Sequence, residues 1–288
     1  MTERTRAISE SDKVILTEAF RRLEQPSYAI RLSSALGCPV GATLSLLPSR
    51  VVAVIDSLTR MLIRQTFEFG VCCLTSEKKQ FGPQFKRKLC TLTGALGGLV
   101  GGAGTLIEIP ISTSLMLASI AEIARDEGED LSAPETRFAC LSVFALGGIA
   151  KEDDDANYGY YSLRMALQAP INEATRYLAS GGSRELMRSP AVIHLINLVS
   201  KRFGVVLSRR AMGAMVPMLG AAAGAACNRI FIDHLQEMAR CHFTIRRLER
   251  KYSRHAVERF YLRLTKSSQD RNPYRLPSPP KTLEAIAA

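Results

Sequence analysis

The chain has 288 residues, enough for two average domains or one large one with a substantial core. Hydrophobic residues make up 47% and aromatics 7%, with no Trp, so small aliphatic side chains carry most of the apolar mass; this favours close-packed helices over a β-sandwich. The net charge of +11 is uneven: from Arg240 onward twelve Lys/Arg stand against four Asp/Glu, a basic end suited to nucleic acid, acidic protein or an anionic membrane surface.

Residues 1–8 read as loose, and "MTERTRAISESDK" has no apolar stretch of the kind a secretory signal needs. A helix is predicted from Ser9 or Ser11, carrying Val14, Ile15, Ala19 and Leu23 on one side. Pro26, Pro39 and Pro48 punctuate the segments after it. A longer helix is predicted from about Pro48, with Val51, Val54, Ile55, Leu58, Leu62 and Ile63 at three- and four-residue steps.

"GALGGLVGGAGTLIEIPIST" (Gly94–Thr113) is the most unusual stretch, with eight Gly or Ala among its first eleven residues. As a membrane span it is long enough, with one charge between Leu89 and Ala121. Glu108 at mid-segment argues against that reading, since a carboxylate there costs about 2.5–3.5 kcal/mol, and Pro110 is expected to interrupt the helix. A second uncharged stretch, Ala211–Asn228, has arginines on both sides and so no clear inside and outside. A phosphate-binding loop needs a strand before the glycines, and the basic, helix-like "FKRKL" stands there instead. Helix contact is the reading that survives. Gly94/Gly98, Gly97/Gly101, Gly98/Gly102, Gly220/Gly224 and Ala222/Ala226 are each four apart, so one face of each helix is nearly bare and two backbones can approach. The two stretches are expected to form a closely apposed pair. Glu108 then requires an arginine or a helix N-terminus beside it.

"LSAPETRFACLSVFALGG" reads as a well-punctuated helix, with Ser132 as N-cap, Glu135 at capping-box spacing, a stripe of Phe138, Leu141, Phe144 and Ala145, and Gly147–Gly148 as the stop. "KEDDDANYGYY" after it fails as a calcium loop, because Tyr158 stands where Gly is required and Arg164 where the bidentate Glu belongs. The acids read better as residues at the start of the next helix, favoured by its dipole.

Phe231, Leu235, Met238, Ile245, Leu248, Tyr252, Ala256 and Phe260 predict one long helix from about Asn228 to Leu264, with His242 filling a gap in the apolar stripe. The proline-rich "SSQDRNPYRLPSPPK" after it reads as a disordered tail. The expected organisation is therefore a loose 1–8, a single α-helical domain over 9–265 and a tail over 266–288. The fold class is all-α: a compact multi-helix bundle with Gly/Ala-rich central helices and a long basic C-terminal helix.

Chemistry is sparse. The seven cysteines are scattered without a CxxC pair, and no HExxH or nucleophile-elbow pattern occurs, so no metal and no cofactor is expected. In "RRLERKYSRHAVERFYLRL" the aromatics fall at core spacing, which speaks against nucleic acid. Arg246, Arg247, Arg250, Lys251 and Arg254 are expected to face solvent and meet an anionic membrane surface or an integral membrane protein.

Three stretches, "GLVGGAGTLIEIPISTSLMLASIAEIARDEGEDLSAPETRFACLSVFALGG", "DDDANYGYYSLRMAL" and "GAAAGAACNRIFIDHLQEMARCHFTIRRLERKY", carry a resemblance to the EcsC family of bacterial proteins over about residues 90–253. The Ile-Glu-Ile-Pro step, the Glu-Gly-Glu-Asp-Leu turn and the Arg-Arg-Leu-Glu-Arg run are its most specific parts. The resemblance implies an α-helical fold and a link to secretion, because the name-giving member is encoded beside an ABC exporter. It implies no agreed reaction. Its motif positions in this chain are Glu108 with Pro110, Asp153 with Asp154 and Asp155, and Asn228 with His234. The expected function is that of a non-catalytic, membrane-associated accessory protein, cytoplasmic and peripheral on the inner face of the cell membrane. The alternatives are a hydrolase-type enzyme with a buried cluster of Glu108, Asp153–Asp155, His234 and His242, or a soluble protein-binding scaffold.

Overall fold

A computed structural model describes residues 7–24, 57, 60–61, 83–100, 102–146, 160–179, 190, 192–200, 203 and 220–270. Seven helices organise them: α1 (Glu10–Glu24), α2 (Pro83–Val100), α3 (Gly102–Asp126), α4 (Pro134–Leu146), α5 (Tyr160–Ala179), α6 (Gly220–Tyr252) and α7 (Arg254–Asp270). A further helical stretch covers 192–200, and no strand occurs among the described residues. Of the helix predicted from Pro48 only Ser57, Arg60 and Met61 are described, and these are helical; the Gly147–Gly148 stop and the tail beyond Asp270 lie outside the described residues, as do Asp153, Asp154 and Asp155.

Helix α1 starts where Ser9 caps it, its Oγ accepting from the Asp12 amide at 3.3 Å. Its buried side is Asp12, Leu16, Ala19 and Leu23, spaced four, three and four apart. The expected stripe was rotated too far: Val14 and Ile15 are 69% and 39% exposed. Asp12 takes the buried position because it has partners there. Lys251 Nζ and Tyr252 Oη reach its Oδ2 at 2.7 and 2.6 Å.

The glycine-rich stretch is helical on both sides of Gly101, and α3 runs through Pro110 rather than stopping at it. Proline removes one backbone donor, so packing has to hold that turn. Further along, α3 buries Met116, Leu117, Ile120, Ala121, Ile123 and Ala124. Its closest partners are α2 and α6, and α6 makes its most extensive contact with α2. The helices that carry the two small-residue stretches thus lie side by side. The contact is fixed by a polar bond, Asn228 Nδ2 donating to the Cys90 carbonyl at 2.9 Å in a buried setting. Asn228→Ala is expected to cost about 0.5–1.5 kcal/mol, the loss of one buried inter-helix bond to a carbonyl that Thr93 Oγ1 still reaches at 2.9 Å, and to lower the thermal midpoint with the helical spectrum unchanged. Nearby, Lys86 on α2 and Glu122 on α3 form an ion pair at 2.6 Å, with side chains 8% and 1% exposed. Gln236 on α6 bonds Ser119 on α3 at 2.8 Å. Among the described residues no helix is long and apolar enough to cross a membrane.

Helix α4 buries Phe138, Leu141, Phe144 and Ala145 as expected, and almost everything between them as well. Its start differs from the prediction. Ser132 gives its hydroxyl to Asp130 at 2.6 Å, and Pro134 takes the first helical position, where a missing N–H costs nothing. The core continues through an aromatic file, Phe144 to Phe203 to Phe231, with ring centroids 4.9 and 5.8 Å apart.

The single long C-terminal helix is in fact two. Ser253 sits at φ 79, the left-handed region, and separates α6 from α7. Its amide still donates to the Glu249 carbonyl at 3.0 Å, and its Oγ accepts from the Ala256 amide at 3.4 Å. One residue therefore ends α6 and caps α7. The apolar period survives the break, with Ala256, Val257 and Tyr261 buried on α7, which is why spacing alone does not reveal it.

Candidate functional site

The turn after α3 explains two of the three most specific sequence motifs together. Gly128, at φ 79, lets the Glu129 amide reach the Ala124 carbonyl at 3.0 Å and the Gly128 amide reach Arg125 at 2.9 Å. These are the paired bonds of a Schellman stop, which needs a left-handed residue that glycine supplies without a Cβ penalty. The turn delivers two carboxylates to α6. Arg246 grips Glu129 with two bonds of 2.9 and 3.0 Å, Arg247 bonds Glu127 at 2.7 Å, and Arg250 reaches Glu129 and the Glu127 carbonyl. The Glu-Gly-Glu turn and the Arg-Arg-Leu-Glu-Arg run are each other's partners.

Of the expected anion-contact residues, Arg247, Arg250 and Lys251 are exposed, and each is also engaged within the chain. Arg246, Arg247, Arg250 and Lys251 are all held by carboxylates of the same chain, Lys251 by Asp12. Burial opposes ionisation of Glu129, but the hydrogen bonds from Arg246 and Arg250 outweigh it and hold its carboxyl below the usual range. Of the five residues, Arg254 is exposed with no ion pair among the described residues.

Sequence reasoning missed the buried polar network behind this clasp. Arg164 on α5 makes a two-pronged bond to Glu249 at 2.7 and 2.6 Å, and Tyr161 Oη donates to the same carboxylate at 3.0 Å. Arg164 also reaches Tyr160 Oη at 3.4 Å, and that hydroxyl lies 2.9 Å from His242 Nδ1. The direction of the Tyr160–His242 bond follows the tautomer of the ring: Tyr160 donates when the proton is on Nε2 and accepts when it is on Nδ1. Burial first, then the Arg164 and Arg246 charges, hold the His242 pKa well below 6.5, so the ring is neutral at pH 7. Burial likewise pushes the Tyr160 hydroxyl up to about 12. The signal available in the sequence was His242 interrupting an apolar stripe, which marks a buried imidazole without naming its partners.

A cavity of about 20 Å³ lies between α4, α5 and α6, walled in part by Ser142, Arg164, Gln168, His242 and Arg246. That is room for about one water, far below a substrate site. The catalytic alternative needs His234 and His242 in one pocket. Both are buried on α6, but eight residues separate them, about 12 Å along the axis and beyond one bridging water. Glu108 and Pro110 lie in α3 and Asn228 at the α2 contact. The side chains of Glu108 and Pro110 and all of Asp153–Asp155 are outside what the structure describes, so the predicted acidic cluster has no described geometry.

A different cationic surface is open. On α7, Arg259, Leu262, Arg263 and Lys266 are paired at three- and four-residue steps and are all exposed, with Arg254 at the start of the helix five residues before them. None of these cations has an ion pair among the described residues; Arg263 lies over the Phe260 ring at 5.5 Å. The sequence points to this basic end, and the cations without an ion pair among the described residues begin at Arg254 and continue along α7.

No curated protein and no solved structure matches the chain. The EcsC protein family matches residues 75–248, which run from ahead of α2 to just short of the end of α6 and take in both halves of the Glu129–Arg246 clasp. The chain belongs to the EcsC protein family.

Proposed function

We propose that this protein is a non-catalytic accessory protein that sits peripherally on the inner face of the cell membrane and serves an ABC exporter or secretion machinery. The observation that carries the reading is the exposed face of α7. Arg259, Arg263 and Lys266 stand there without a carboxylate partner among the described residues, with Leu262 between them. Lysine and arginine near an anionic leaflet contribute about 1 kcal/mol each, and an apolar side chain among them can enter the headgroup layer. Family membership supports the link to export, and the buried Arg164–Glu249 pair with the hydroxyls of Tyr160 and Tyr161 suits a structural core better than a reacting centre.

The test is co-sedimentation with vesicles of phosphatidylglycerol and phosphatidylcholine at low salt. Binding to the anionic vesicles is expected, with release as salt rises. The triple variant Arg259→Glu, Arg263→Glu, Lys266→Glu is expected to weaken it about a hundredfold or more. Indifference to anionic vesicles at low salt would end this reading.

A further inference from the structure

The exposed face of α7 is one wall of a groove. Ala7, Ile8 and Lys13 form the other side, and α7 contributes Ala256, Arg259, Phe260, Leu262, Arg263 and Lys266; the volume is about 670 Å³. That is within the range of about 300–1,000 Å³ typical of ligand pockets. Its chemistry is divided. Ile8, Ala256, Phe260 and Leu262 make an apolar lining, with Leu262 44% exposed and Ile8 and Phe260 only partly buried. Arg259, Arg263 and Lys266 supply three cations not engaged by acids among the described residues. Lys13 adds little, because Glu10 holds its ammonium at 2.6 Å. Three cations beside an apolar lining are complementary to a ligand with a phosphate at one end and a hydrocarbon chain at the other.

The geometry points to a groove that seats one molecule of anionic glycerophospholipid, its phosphate on Arg259, Arg263 and Lys266 and one acyl chain against Ile8, Phe260 and Leu262. The inference rests on the peripheral-membrane reading and goes beyond it. Surface adsorption needs only charge near a charged leaflet, whereas a seated lipid requires the apolar lining as well, and gives a membrane contact that salt does not wholly release. An acidic peptide would satisfy the cations equally but would not need the acyl-sized lining.

The experiment uses the full chain and dihexanoyl-phosphatidylglycerol below its micelle concentration, followed by calorimetry or amide shifts. Dihexanoyl-phosphatidylcholine and glycerol 3-phosphate run in parallel. The expected result is binding of the acidic lipid at least tenfold tighter than either comparison compound. Leu262→Ser and Arg263→Gln, both at exposed positions, are each expected to weaken it about tenfold while the melting temperature stays unchanged. Equal binding of glycerol 3-phosphate would reduce the groove to an anion site and overturn the inference. Binding to anionic vesicles without binding to the monomeric lipid overturns it too, yet leaves the peripheral reading standing; loss of vesicle binding removes both.

Discussion

Glu249→Ala is expected to lower the free energy of unfolding by about 3–5 kcal/mol, the cost of leaving a buried guanidinium without its carboxylate. Arg164 and Glu249 have side chains only 9% exposed each, and the pair closes with two bonds of 2.6 and 2.7 Å. Removing the carboxylate also takes the acceptor from Tyr161 Oη. The single change therefore strands a charge and a hydroxyl between α5 and α6. Replacing both charges, as Arg164→Met with Glu249→Leu, is expected to recover most of the loss, because the desolvation of two ions disappears along with their attraction. Urea denaturation of the two single variants and the double variant measures the coupling. A loss below about 1 kcal/mol for Glu249→Ala would mean that water screens the pair as it screens a surface bridge.

The second large effect is on pH dependence. In the unfolded chain His242 takes up a proton near 6.5, while in the fold burial first, and then Arg164 and Arg246, hold its pKa well below that value. Between those limits the unfolded state binds one more proton than the native state. Stability is then full above 6.5 and falls as the pH drops below it, by up to about 1.4 kcal/mol per pH unit. Chemical denaturation at pH 7.5, 6.0 and 5.0 should show this slope, and His242→Gln should flatten it. Identical slopes for the two proteins would mean that the imidazole is charged in the native state or already solvated. A separate window follows from Asp12, whose carboxyl is held at about 2 by Lys251 and Tyr252 instead of 3.8. Its contribution is present above 3.8 and is lost as the pH falls through about 2, so it cannot be confused with the histidine step.

Periodicity made the helices of this protein legible, and it failed wherever a polar group with a partner took an apolar place. On α1 the apolar Val14 and Ile15 suggested one face, but Asp12 had Lys251 and Tyr252 waiting for it, and so the helix turned to bury the carboxylate. Ser132 had the spacing of a cap, and its hydroxyl was taken by Asp130. Ser253 adopts a left-handed backbone that favours glycine, so nothing in the residue type announced the break. The clasp between Glu129 and Arg246 joins positions 117 apart in the chain. Each motif was visible by its own charge, but charge patterning along one segment says nothing about a complement so far away. For the same reason the run of arginines showed its exposure in the sequence but not the carboxylates that Arg246, Arg247 and Arg250 also engage. What was readable on the surface was the basic excess at the end of the chain, because the cations of α7 have few neighbours to change their meaning.

The first helix is tied to the last part of the chain. Lys251 reaches Asp12 across 239 positions, and Tyr261 Oη donates to Glu24 at 2.8 Å while the Tyr160 amide bonds the same carboxylate oxygen at 3.1 Å. At about 5–20 residues per second of synthesis, α1 emerges from the ribosome on the order of ten to fifty seconds before the residues that will cover Leu16 and Leu23 exist. During that interval its sticky side has no native destination. Helix α1 therefore reaches its native contacts only once residues 251 and 261 have been made.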